Sequence, residues 1–534
     1  MPKKSFNPIN IGVDKQLFID DQIVESMSLG VHKISNQPVK HPDNPVIRLG
    51  SEWEQKGVLS HGGDAGSIFF DDEREIFRFY GWMANWDATD RFLFYAESKD
   101  GIRWNKPRLG QVDYLGYDTN FIKIPTHKND KGELEGGNSS VFKDPVSNQQ
   151  ERYKMIFMDK RGGGIDWHLP NRHLHPENKE NWDGQRQGRA IYPAFSSDGI
   201  NFTRYEVEKP SVPFDSDTNN NVIWDAKRQR YLLYHRVWPN LDKRTNQSST
   251  QPSGHHIRTA AWASSKDFIH WDGPQNKFYP EDQYICFLPD EFDRLGSRDF
   301  YTFEVLPYED GFVGFTSVFH TYFNEIPAGM DSGNAQSPWL DKVDVQLLWS
   351  RDGEKFDRIG ERRVFIPNGT EGSWDEDLIY TVQAPIVRKD LGEIWIYYEG
   401  VSGHHYFGHR GEHQRGQVGL AILRLDGFIS ITGSGTLITK PLIFQGNQLS
   451  INATGVDKYA GEFYGSVEVE IIDAQTQHPI PGFTRDNCDI FGGDEISHTV
   501  SWNGSANVGN LQGTPVMLRF YLKRAKLFSF QFTD

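Results

Sequence analysis

Tyr95–Pro107 reads YAESKDGIRWNKP: alternating small and aromatic residues, an Asp-Gly pair, and a restart on Trp104. An Asp-Gly pair between β-formers predicts a hairpin with a tight turn, because glycine accepts the positive φ that such a turn needs. The same pattern returns as AFSSDGINFTRY (Ala194–Tyr205), AWASSKDFIHWDGP (Ala261–Pro274) and LWSRDGEKFDRIG (Leu348–Gly360). A degenerate fifth copy, LAILRLDGFISI, runs from Leu420 to Ile431. One hairpin repeated along a chain is the signature of a repeat architecture.

Working outward, each hairpin closes a unit with the same earlier parts. An inner strand ends in an acidic or polar turn: DAGSIFFDD (Asp64–Asp72), GNSSVFKDP (Gly137–Pro145), TNNNVIWDA (Thr218–Ala226), YTFEVLPYED (Tyr301–Asp310) and VQAPIVRKD (Val382–Asp390). A strand rich in aromatic and β-branched residues follows, then the strand that leads into the hairpin. Period-2 alternation and Gly, Pro and Asp punctuation support strands, and no sustained 3.6-residue stripe is visible. Five such units predict an all-β chain: a five-bladed β-propeller followed by a C-terminal β-sandwich. Tandem sandwiches, the alternative, would not need the same hairpin at the end of every unit. The expected divisions are an N-terminal segment over 1–60, the propeller over 61–431 and the sandwich over 432–534. Within the first, LFIDDQIVES (Leu17–Ser26) reads as strand–turn–strand; KPLIFQG marks the join to the last.

Composition narrows the partners. With 57 basic and 73 acidic side chains the formal charge is −16, which steers away nucleic acid and anionic membrane surfaces. Aromatics at 13% and 51 glycines suit strands, turns and sugar-stacking surfaces. Two cysteines, Cys286 and Cys488, make neither a disulfide framework nor a metal knuckle. The opening MPKKSFNPIN has no apolar run behind its lysines, and no apolar stretch approaches the length of a membrane span. The chain as written is expected to be soluble and cytoplasmic, or secreted or periplasmic if a leader has been removed.

The blade hairpins, the closing strand RGQVGLAILRLDGF (Arg415–Phe428) and the following sandwich resemble glycoside hydrolase families 32 and 43 and their relatives. The Asn-Asp-Pro-Asn-Gly opening of the invertase-like enzymes is replaced by HGGDAGS (His61–Ser67). The Arg-Asp-Pro motif is matched only as SRDF (Ser297–Phe300), in blade four. Both departures argue against a fructan substrate. The resemblance implies an exo-acting hydrolase of oligosaccharides from a plant or algal polysaccharide, with the glycan as substrate and no cofactor. The arginines and histidines suggest an acidic or sulfated substrate, and a homo-oligomer stays open. A glycoside phosphorylase resembling family 130 and a non-catalytic carbohydrate-binding propeller are the rivals.

Glycoside hydrolysis needs two carboxyl groups across the scissile bond, one ionised and one protonated. In a propeller the inner strands present side chains to a central hollow, so carboxyls at their starts are the candidates. Asp64, between glycines and near His61, is the expected base or nucleophile. Asp299, beside Arg298, is expected to be ionised by that pairing. Glu304, in an otherwise apolar strand, is the expected acid. Asp375 and Asp377 would share one strand face if extended. His235 and Arg236 form a candidate cationic pair for an anionic substituent. Two His-rich segments, Arg161–Gly184 with Trp167 and Gly403–Gly416 with His404 and His405, are expected to rim the funnel and meet sugar. His405, His409 and His413 would suit zinc on a helix, but Gly403, Gly408, Gly411 and Gly416 argue against one, so no metal is expected.

Overall fold

The computed structural model describes residues 7–54, 57–59, 66–85, 91–125, 137–160, 189–207, 209–214, 216, 218, 220–239, 257–277, 280–295, 298–320, 342–383, 385–403, 416–455 and 465–534. The chain is almost wholly β, with one short helix, Glu291–Leu295, among the described residues.

The repeated hairpin is wider than the tight turn expected of Asp-Gly. Glu97 pairs with Asn105, so the chain needs several residues to turn back. Local side-chain bonds hold the loop. The Ser98 hydroxyl accepts from the Gly101 amide at 2.9 Å, and Asp100 accepts from the Ile102 and Arg103 amides at 2.9 and 2.7 Å. Ser196 with Asp198, Ser265 with Asp267, and Ser350 with Asp352 repeat these bonds. The residue after the aspartate has positive φ in all four, +75°, +76° and +77° at Gly101, Gly199 and Gly353, and +67° at Phe268. Left-handed backbone costs a non-glycine residue about 1–2 kcal/mol. Phe268 is fully buried against Phe142 and Tyr231, and burying such a ring returns about 1.5–3 kcal/mol. Burial therefore outweighs the strain.

Five antiparallel blades follow in chain order, each with its inner strand first. Blade one has Ser67–Asp71, Ile76–Asn85 and Arg91–Ser98; blade two Gly137–Lys143, Tyr153–Lys160 and Arg189–Ser196. Blade three has Asn221–Asp225, Arg230–Val237 and Thr259–Ser265; blade four Arg298–Tyr308, Gly311–His320 and Lys342–Ser350. Blade five has Leu378–Thr381 with Ile386–Arg388 as its interrupted inner strand, then Glu393–Val401 and Gln417–Arg424. The ring closes where Ser67 bridges in parallel to Gln383, joining the inner strands of blades one and five. The N-terminal pair Val39–Lys40 adds the outer strand of blade five, pinned by Lys40 on Asp375 at 2.6 Å.

Adjacent blades interlock at equivalent register positions. Tyr80, Tyr234 and Tyr397 donate to the Gly199, Gly353 and Gly101 carbonyls of the next blade's hairpin at 2.9, 2.8 and 2.8 Å. Blades two and four replace this bond by apolar contact, Ile156 clustering with Phe268 and Phe315 lying 6.0 Å from Phe428. A Cβ on Gly199 would stand 2.2 Å from Arg78 Nη1 and 2.8 Å from the Tyr80 hydroxyl. Gly199→Ala is therefore expected to lower the melting temperature by several degrees, through left-handed strain and loss of this interlock. A scan that overlays wild type would refute it.

The fifth hairpin is degenerate because it serves the joint to the sandwich. Asp426 there accepts from the Tyr308 hydroxyl of blade four, at 2.5 Å, and from Asn452 and Ser529 at 3.1 and 2.7 Å. Lys15 reaches it from the N-terminal segment at 3.1 Å. The sandwich is built around the long strand Val516–Thr533, which pairs with Ile429–Thr439, Gln448–Thr454 and Ser466–Asp473. The segment that the sequence sets apart over 1–60 is divided between both bodies. Ile9–Gly12, Gln16–Leu17, Val24–Met27 and Val31–Ser35 join the sandwich sheet, and Phe18 packs in its core with Phe520 and Phe530. The reading of Leu17–Ser26 as strand–turn–strand says nothing of the partners, which lie at the other end of the chain.

Candidate functional site

The inner strands meet at the axis through polar side chains. Ser67, Ser140, Asn221 and Glu304 occupy equivalent positions, each one residue before a buried aliphatic, and Gln383 stands at this level in blade five. Val141 N donates to Ser67 Oγ at 2.8 Å and Val305 N to Asn221 Oδ1 at 2.9 Å, so each of these side chains clasps the neighbouring strand. Gln383 accepts from the Ser140 hydroxyl and donates to the Val222 carbonyl at 3.0 Å. These five side chains are at most 2% exposed and fill the axis. Glu304, the expected acid, belongs to this level.

Above it, at the end where the inner strands begin, blades three, four and five bring a second group together. Asp299 accepts from the Arg258 backbone amide at 3.1 Å and from its guanidinium at 2.5 Å. The expected partner, Arg298, is in the same strand, opposite His320; among the described side chains the ion pair of Asp299 is with Arg258. Arg236 donates Nε and Nη2 to the Tyr301 carbonyl at 3.2 and 2.6 Å and lies 4.1 Å from the Tyr301 ring centre. Arg258 lies 5.5 Å from that ring and 4.4 Å from the Trp238 ring. Tyr380 stands 5.5 Å from Tyr301, ring to ring, and opposite Glu399 in register. Tyr380 and Glu399 are at most 1% exposed. Burial holds the Tyr380 phenol well above its ordinary pKa, Tyr301 and Glu399 add to this, and the Arg236 and Arg258 charges oppose it. The phenol therefore stays protonated, a hydrogen-bond donor.

Strand alternation separates the other expected partners. His235 and Arg236 are consecutive, so they face opposite blades; His235 lies against Phe214 at 5.5 Å. Burial drives its imidazole down to about 4, so His235 is neutral near pH 7 and the expected cationic pair carries only the Arg236 charge. Asp375 and Asp377 lie in a turn and diverge. Asp375 meets Lys40 and the Tyr398 hydroxyl, at 2.6 and 3.0 Å. Asp377 accepts from the Gly403 amide at 2.7 Å and lies 3.4 Å from Lys342. His61, Asp64, Trp167, His404 and His405 lie outside the described residues.

Arg258, Tyr301, Tyr380 and Glu399 were not singled out from the sequence. Only Glu399 carries a usable signal: a carboxyl near the end of the otherwise apolar run IWIYYEG. Arg258 sits among residues with no motif, Tyr301 lies just beyond SRDF, and Tyr380 reads as one more core aromatic. Among the described residues no group of three or more His, Cys, Asp or Glu is arranged to hold a metal ion, and no helix is long and apolar enough to cross a membrane.

No protein-family model matches the sequence, and neither does any curated protein. Among solved structures the chain is similar to one titled a glycoside hydrolase, at 10% identity over 74% of this chain and 92% of that one, TM-score 0.39. A glycosyl hydrolase from Bacteroides ovatus is similar at 12% identity, over 73% and 94%, TM-score 0.38. A GH32 β-fructofuranosidase from Bombyx mori is similar at 10% identity, over 90% and 93%, TM-score 0.38. Likeness at this level leaves the fold to the strand pairing and the function to the chain's own residues.

Proposed function

We propose that this chain is a glycoside hydrolase that releases a sugar from the end of an oligosaccharide. The observation that carries the reading is the convergence of Asp299, Glu399, Tyr301, Tyr380, Arg236 and Arg258 at the end of the axis where the inner strands begin. Such a site offers carboxyls, fixed cations and aromatic faces to a polyhydroxylated ligand. Asp64 stands two residues before Gly66, which leads into the inner strand of blade one at that same end, and it is assigned as base or nucleophile. Asp299, held by Arg258, serves as an ionised stabiliser or hydroxyl acceptor. Glu399 is assigned as the proton donor in preference to Glu304, whose position is one of the axial clasps.

The two guanidiniums favour one second reading, a glycoside phosphorylase in which they hold inorganic phosphate. A panel of plant and algal oligosaccharides, with and without phosphate, separates the two. The expected result is a free monosaccharide without phosphate, lost in Asp64→Asn. Turnover only with phosphate would establish the phosphorylase. Full activity in Asp64→Asn would remove Asp64 from the mechanism, and sugar binding with no turnover would make the chain a binding propeller.

A further inference from the structure

Among the described residues, the Tyr380 phenol of blade five has no hydrogen-bond partner. Tyr380 is 0% exposed, and Glu399 is its cross-strand neighbour. A buried hydroxyl left in this state costs about 1–3 kcal/mol. Phenylalanine would fill the same space without that cost, so the oxygen calls for a use. Its surroundings define the use. The Tyr301 ring is 5.5 Å away, and Arg236 and Arg258 lie 4.1 and 5.5 Å from that ring. Asp299 fixes Arg258 through its guanidinium and its backbone amide. A protonated phenol can donate, and guanidiniums only donate. The ligand atoms complementary to this set are acceptors, and a charged oxygen group makes the strongest bonds to it.

We propose that Tyr380, together with Arg236 and Arg258, forms a subsite for an oxyanion carried by the sugar, a carboxylate or a sulfate ester, and that the Tyr380 hydroxyl is the group that selects it. The subsite rests on the carbohydrate reading above, but its test measures binding and needs no turnover.

The experiment compares the full chain with Tyr380→Phe by thermal unfolding and calorimetric titration. The probes are D-glucuronate, sodium sulfate and D-glucose, at ionic strength matched with chloride. Without ligand, Tyr380→Phe is expected to melt at or above the wild-type temperature, because an unbonded hydroxyl has been removed. D-Glucuronate or sulfate is expected to raise the wild-type melting temperature, and Tyr380→Phe is expected to bind the same anion at least tenfold more weakly. Glucuronate alone would name a carboxylate as the ligand group, and sulfate alone a sulfate ester. Equal anion binding in both proteins, or no binding beyond the chloride control, would overturn the subsite. So would a clear loss of stability in Tyr380→Phe, since the hydroxyl would then have a structural partner. Turnover of neutral oligosaccharides with no anion preference would sink the subsite and leave the hydrolase reading. Anion binding with no turnover of any glycan would do the reverse.

Discussion

Glu399→Gln is expected to lower kcat on a natural oligosaccharide by roughly 10²–10⁴-fold, the usual worth of a positioned general acid. Glutamine keeps the shape of a side chain that is 1% exposed and removes only its ability to deliver a proton. A natural glycoside leaves as an alkoxide unless it is protonated, so the loss falls on kcat more than on KM. The same substitution is expected to be nearly harmless on an aryl glycoside whose leaving group is already a weak base, because no proton is then required. That contrast is what a structural role would not produce: a misfolded or repacked site would fail on both substrates. Glu304→Gln is the matched control. If it shows the leaving-group dependence and Glu399→Gln does not, the proton donor belongs to the axial ring and the assignment made above is wrong.

The second large effect concerns stability. Asp71 ends the inner strand of blade one, and its buried carboxyl gathers partners from two blades. Arg78 Nε lies at 3.1 Å, Lys143 Nζ of blade two at 3.0 Å, and the Tyr153 hydroxyl of blade two donates at 2.6 Å. Arg78 itself donates to the Asp198 carbonyl at 2.6 Å and stacks 4.9 Å from the Tyr153 ring. This network ties blade one to blade two. Asp71→Asn leaves the Arg78 guanidinium, at 2% side-chain exposure, without its counter-charge, and breaking a buried pair from one side costs about 3–5 kcal/mol. The midpoint of urea unfolding at neutral pH is expected to fall accordingly.

The same carboxyl sets an acid limb. Burial pushes Asp71 up, but the bonds from Tyr153 and Lys143 and the charges of Arg78 and Lys143 outweigh it and hold the carboxyl below its ordinary value. A carboxylate whose folded-state pKa is depressed contributes stability above the unfolded-state value, near 4, and loses it as pH falls through the folded-state value. The gap between wild type and Asp71→Asn is therefore expected to be full at pH 7 and to close below about pH 4. A gap that persists unchanged at pH 3 would show that packing rather than charge holds the two blades.

How much of this was legible in the chain depends on the distance over which each interaction acts. The hairpins are local objects. The Ser98 and Asp100 side chains accept from amides within three residues, so their chemistry announces the turn wherever it recurs. Four clear copies and one degenerate copy were enough to expect a ring of blades. Even the degenerate copy has a tertiary cause: Asp426 is recruited by Tyr308, Asn452 and Ser529.

An Asp-Gly pair alone implies a two-residue connection, whereas the Ser and Asp side chains stabilise a longer one. The site was legible only in kind. A sequence shows that carboxyls and arginines stand near strand ends, but strand neighbours point to opposite blades, and so His235 and Arg236 part company. Residues far apart in the chain, such as Arg258 and Asp299 or Tyr301 and Tyr380, meet through the closing of the ring.

By itself the sequence determined the strands of the blades, the places of their turns and the repeat, because those follow from bonds and φ preferences within a few residues. Only the tertiary structure decided where the N-terminal strands lie, which arginine holds Asp299, and that Tyr380 of blade five stands beside Tyr301, on whose ring two arginines of blade three pack. Those are matters of which distant segments pack together, and packing is settled by the whole fold rather than by any stretch of it.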